Sequence, residues 1–133
     1  MDPNIEVELA TRESEAVQLH SAGRYSEAED LYRTVFSTRQ QHEGTEGAGR
    51  EMYNLAAVLV AQEKFEEAEP MLRQLLFYLN QRPRGRDTRN FIEQEAGTAR
   101  LLGRTLDGQG RSSEAQQIHE SALFLEEKAL SAM

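Results

Sequence analysis

The chain is 133 residues long, which suits one small domain. Apolar residues make up 38% and charged residues 29%, enough to bury a modest core and too apolar for a disordered chain. Lys and Arg number 15 against 23 Asp and Glu; the formal charge of −8 disfavours nucleic acid and anionic membrane, and the lack of cysteine excludes disulfides, thiolate metal sites and cysteine nucleophiles.

The N-terminal "MDPNIEVELA" has neither a basic start nor an apolar run, so it does not read as a secretory signal. Val17 and Leu19 belong to a first amphipathic helix. "GRYSEAEDLY", residues 23 to 32, follows as a turn and the start of a second helix carrying Leu31, Val35 and Phe36. Gly23 suits the left-handed conformation that ends a helix, and Ser26 or its neighbour suits the cap of the next. The Gly-rich "QHEGTEGAG", Gln41 to Gly49, reads as a mobile connection.

Met52, Leu55, Ala56 and Leu59 mark a third helix. Its longest apolar run, Leu55 to Ala61, is too short to span a bilayer. The related "EKFEEAEPML", residues 63 to 72, then opens a fourth helix with Leu72, Leu75, Leu76 and Leu79. Glu63 stands where the first turn has glycine, which predicts a less favourable turn. Pro70 is placed near the helix start, where a missing N–H costs least. "QRPRGRDTR", Gln81 to Arg89, holds Arg82, Arg84, Arg86 and Arg89 and reads as a second connection.

Leu101, Leu102 and Leu106 predict a fifth helix, and "GRSSEAQQIH", residues 110 to 119, the third copy of the turn. Gly110 ends one helix, Ser112 or Ser113 suits the cap of the next, and Ile118, Ala122 and Leu123 lie inside it. Leu123, Phe124, Leu125 and Leu130 crowd this last helix. Its outer face is expected to meet more chain, a second copy or a partner.

Three alanines are the fixed points of the pattern: Ala28, Ala68 and Ala115, 40 and then 47 residues apart. A methyl there lets two helices joined by a short turn approach closely. No alternating run is long enough for a strand. The expected fold class is all-α: one domain over 1–133, built from three tandem antiparallel helix hairpins at about 5–40, 46–80 and 88–130.

This pattern resembles the tetratricopeptide repeat. Leu55, Ala56, Leu59, Phe65, Ala68 and Leu72 carry the likeness, and "NLA" and "EEAE" resemble the kinesin-light-chain type. Departures fall in the outer copies, with Arg12 and Glu15 in the first and Ser112 and His119 in the third. The resemblance implies a right-handed solenoid whose first helices line a concave face. That face would comprise Glu13, Val17 and His20, then Arg50, Tyr53, Asn54 and Ala57, then Arg100, Leu101, Arg104 and Asp107. Arginine forks hold carboxylates, Asn54 offers a donor and an acceptor to peptide backbone, and Tyr53 adds apolar area with a polar tip. The implied function is a protein-binding adaptor taking an acidic or extended peptide. A competing reading leaves this face solvated, with its arginines paired to nearby glutamates. A two-carboxylate clamp for chaperone tails needs Lys and Asn where Glu13 and Val17 stand, so that mode is not expected.

Other chemistries lack support. His20, His42 and His119 have no ligand spacing, so no metal is expected. Ser21, His20 and Asp107 form no recognisable nucleophile set, and "EGTEGAGR" lacks the Lys-Ser/Thr of a phosphate loop. The arginine connection has no interleaved aromatics. No enzyme activity, cofactor, membrane or nucleic-acid partner is expected, and a cytoplasmic location is. The alternatives are a scaffold self-assembling through its end helices and, less favoured, a small-molecule binder or enzyme using the groove as a pocket.

Overall fold

The computed structural model describes residues 2–81 and 88–131. Among them are six helices and no strand: α1 (Pro3–Ser21), α2 (Tyr25–Gly47), α3 (Gly49–Ala61), α4 (Phe65–Gln81), α5 (Thr88–Gly108) and α6 (Ser112–Ser131). The all-α class therefore holds. Packing divides the chain into two compact units, Met1–Lys64 and Phe65–Met133. No helix in the described residues is long and apolar enough to cross a membrane.

In the first unit, α1 opens on Asp2, whose carboxylate accepts a 2.7 Å hydrogen bond from the Asn4 N–H, with Pro3 at the first helical position. The turn to α2 is set by Gly23 at φ 78°. The Gly23 N–H donates to the His20 carbonyl at 3.0 Å and the Arg24 N–H to the Leu19 carbonyl at 2.9 Å. This pair of bonds is the Schellman ending, which satisfies carbonyls the helix would otherwise orphan. The same bonds recur at Glu63 and Lys64, and at Gly110 and Arg111. Ala16, Ala28, Val35, Met52, Leu55 and Leu59 are fully buried, and α2 packs on both α1 and α3.

Two local expectations need correction. Helix α2 starts at Tyr25, so Ser26 lies inside it and Arg24 is the cap residue, without a side-chain capping bond. The Arg24 guanidinium instead grips Glu27 in the first turn, at 2.9 and 2.7 Å. Arg111 does the same to Glu114 at the start of α6, at 3.1 and 2.7 Å, so Ser112 and Ser113 do not cap either. The glutamates complement the positive helix end that a serine would have served. Nor is Gln41–Gly49 an open connection. Helix α2 runs through it to Gly47, broken only at Gly44 (φ 76°), and Ala48, wholly buried, leads directly into α3.

The second unit packs α5 against α4 and α6 over Leu72, Leu102, Leu106, Ala68 and Ala115. The shared alanines Ala28, Ala68 and Ala115 are all 0% exposed, as close helix approach requires. Glycine extends that approach within α5: a Cβ on Gly103 would overlap the His119 ring, and one on Gly108 the Phe65 ring. Thr98 and Thr105 are buried, each hydroxyl donating at 2.8 Å to a carbonyl one turn back. Pro70 is the sixth residue of α4 rather than one of the first, so the helix forgoes a bond to the Glu66 carbonyl. Residues 82–87, which include Arg82, Arg84 and Arg86, lie outside the described residues. Arg89 is in α5 and pairs with Glu93 at 3.1 Å.

Candidate functional site

The expected binding residues lie on the first helices, and each unit presents its own set. In the first unit, α1 and α3 meet through a carboxylate. Glu13 accepts from the Arg50 guanidinium at 2.8 Å on one oxygen and from the Asn54 amide at 3.2 Å on the other. Glu13 is half-buried and Arg50 exposed. The geometry thus brings together three of the expected residues, but as partners of one another. Val17 is exposed, and Tyr53 and Ala57 are half-buried. His20 turns into the hairpin, edge-on to Tyr25 at 5.5 Å and to Tyr32 at 6.3 Å. Burial, with the nearby Glu13 carboxylate, raises the Tyr32 phenol above its ordinary value.

In the second unit, Arg100 is exposed and pairs with Glu126 of α6. Arg104 lies one turn on, exposed, and makes no ion pair with any described residue. Asp107 meets His119 at 3.1 Å. Leu101 does not join this face. It is buried, because α5 is covered by both α4 and α6 and one residue beyond Arg100 is already a hundred degrees round the helix.

A second set of polar contacts is repeated and was not anticipated. In the first unit, Glu29 of α2 is buried and accepts from Lys64 at 2.9 Å, Gln62 at 2.7 Å and Arg33 at 2.8 Å. In the second, Glu69 of α4 accepts from Gln109 at 2.9 Å, Arg111 at 2.6 Å and Arg73 at 2.9 Å. Each glutamate follows a shared alanine, and each Gln-x-basic donor pair sits in the next turn. Burial pushes the Glu29 carboxyl up, but the bonds from Lys64, Gln62 and Arg33 outweigh it and hold its pKa at about 2. Glu69 is lowered too, foremost by Gln109. The signal was present in sequence: "QEK" at 62–64 and "QGR" at 109–111 keep the 47-residue spacing.

Arg39 forms a third polar knot. It reaches Glu6 of α1 at 2.6 Å, Glu43 at 3.2 Å and Glu51 of α3 at 3.2 Å. The Glu6 hydrogen bond raises the Arg39 pKa and lowers that of Glu6. Among the described residues no cluster of His, Asp and Glu has a metal-holding arrangement.

Two hairpins with a shared alanine and a repeated turn geometry point to a repeat family. The tetratricopeptide-repeat family matches the chain over residues 16–47 and 52–76. Both segments are tetratricopeptide repeats. They run from the end of α1 through α2, and from α3 well into α4. Tetratricopeptide repeats generally mediate protein–protein interaction and are generally non-enzymatic. No curated protein matches the chain. The departures at Arg12 and Glu15 fit their setting in this repeat protein: Glu15 is exposed and Arg12 pairs with Glu8 at 2.8 Å.

Proposed function

We propose that this tetratricopeptide-repeat chain is a cytoplasmic adaptor whose first helices hold the carboxylates of an acidic or extended peptide. The three hairpins, about 5–40, 46–80 and 88–130, are then its three repeats. The observation that carries this reading is the Glu13 carboxylate seated between Arg50 and Asn54, one donor to each oxygen. It stands where a peptide carboxylate would, so binding is an exchange: the ligand takes the donors and Glu13 turns to solvent. Exchange is inexpensive because Arg50 is exposed and its partner returns to water rather than to an apolar interior. Tyr53 and Val17 supply apolar contact beside it. On α5, Arg104 supplies an unoccupied cation and Arg100 one already paired with Glu126.

The test is fluorescence anisotropy with a fluorescein-labelled Asp/Glu-rich peptide. Wild-type protein should bind it with an affinity that falls as salt rises. Arg100→Glu/Arg104→Glu and Arg50→Glu should each weaken binding at least about tenfold, the 1.4 kcal/mol that one charge-assisted contact supplies. Unchanged binding in variants of unchanged helicity would refute the exchange.

A further inference from the structure

The repeated glutamate clamp identifies which face of each second helix meets the next hairpin. On α2 that face carries Glu29, on α4 Glu69, and each is held by donors that follow α3 and α5 respectively. Residues seven positions on share the face. These are Phe36 and Leu76, both half-buried. On α6 the matching positions are Gln116 and Leu123, and Leu130 lies seven further on. Leu123 is 59% exposed and Leu130 66% exposed. At Leu123 the face that α3 and α5 cover on the two earlier hairpins is thus exposed and apolar on α6, and Leu130 extends the apolar surface by two turns.

Its charges differ from theirs. Four positions after each clamped glutamate stands an arginine, Arg33 or Arg73, bonded to it. The matching residue on α6 is Glu120, whose only described partner is Gln116 at 3.3 Å, and Glu127 on the same face has no described ion-pair partner. The surface is therefore two leucines flanked by two unneutralised carboxylates.

We propose that this open face of α6 docks a basic amphipathic helix of a partner protein, leucines against its apolar stripe and Glu120 and Glu127 against its Lys or Arg. Continuity with the α2–α3 and α4–α5 packing sets the binding mode, and charge sets the partner. A second copy stacked head-to-tail fits poorly. The α1 positions equivalent to buried Leu55 and Val58 are Glu15 and Gln18, both exposed, and Glu15 would bring a further negative charge to the carboxylates. The inference goes beyond the peptide site on the first helices and does not depend on it.

The experiment uses the full chain and a fluorescein-labelled synthetic helix of about 18 residues, apolar at i, i+3, i+4 and i+7 and otherwise lysine-rich. A twin carries Glu at each Lys. Anisotropy should show the basic helix bound at least about tenfold tighter than its twin. Leu123→Glu/Leu130→Glu should lose that binding at least about tenfold, Glu120→Lys/Glu127→Lys should reverse the ranking of the probes, and Phe77→Glu, an exposed apolar residue of α4, should change neither. Equal binding of both probes, or of wild type and the leucine variant, overturns the proposal. So does light scattering that shows a wild-type dimer converted to monomer by Leu123→Glu/Leu130→Glu. Should that variant lose helicity, the reversal by Glu120→Lys/Glu127→Lys decides.

Discussion

Glu29 accepts a 2.9 Å hydrogen bond from Lys64, a residue 35 positions further along the chain. The bond fastens the second helix of one hairpin to the turn of the next, and Glu69 with Arg111 repeats it. Local helix propensity cannot supply such a contact. It fixes how consecutive elements register within each unit.

Acid should release the Glu29 clamp. Its carboxyl has an ordinary value of 4.5 and sits at about 2 in the folded chain. The unfolded state therefore binds more protons between those values, and stability falls as pH drops through that window. Urea titrations at pH 7 and pH 2.5 should show a loss of about 2 kcal/mol from this residue. In Glu29→Gln that part of the pH dependence should vanish, with stability at pH 7 lower by about 1–2 kcal/mol. An unaltered acid response in the variant counts against the clamp.

Glu63 should be improved by glycine. It alone among the described non-glycine residues has a positive φ, 61°, and it takes the place held by Gly23 and Gly110 in the other turns. A side chain in that conformation costs about 1–2 kcal/mol, part of which glycine returns through its freer unfolded chain. Glu63→Gly should stabilise by about 0.5–1 kcal/mol and raise the Tm by about 2–4 °C, read by thermal circular dichroism. Gly23→Ala and Gly110→Ala should shift it the other way.

These turns show how much of the molecule was legible. Gly23, Gly110 and the alanine spacing encode hairpin geometry in single residues, so the fold class could be read directly. The face of the first helices could be read only as a set of candidates. Glu13, Arg50 and Asn54 stand apart in sequence, and their mutual contact depends on α1 and α3 coming together from 37 residues apart. The clamp is not legible in sequence at its acceptors because Glu29 and Glu69 look like ordinary surface glutamates in "EAE", and burial is a tertiary property. Ser26 and Ser112 misled because helix starts shift by a residue, and that shift moves a capping side chain to a position where it cannot cap.

Arg39 should be costly to remove alone. Glu51, its partner on α3, is only 5% exposed, and without Arg39 it keeps only the more distant Arg50 at 3.7 Å. Arg39→Met should cost about 2–4 kcal/mol by leaving that buried carboxylate with its longer ion pair alone, whereas Arg39→Met/Glu51→Met should recover most of the loss. A double-mutant cycle in urea measures the coupling, and additive losses would show that the pair does not act together.

Gly108→Ala should destabilise through one ring. The new methyl falls on the outer edge of the Phe65 ring, which must shift to admit it. A loss of about 1–3 kcal/mol is expected, smaller when Phe65→Leu is added.

The clamp also dictates where the chain can be cut. A fragment ending at Gly47 contains both helices of the first hairpin, yet Gln62 and Lys64 are gone and Glu29 keeps only Arg33 among its bonded donors. A fragment ending at Lys64 contains an entire compact unit with every donor in place. A fragment that keeps the clamp must therefore hold a hairpin, the helix after it and three residues more, and its edge is drawn by a lysine rather than by the end of a helix.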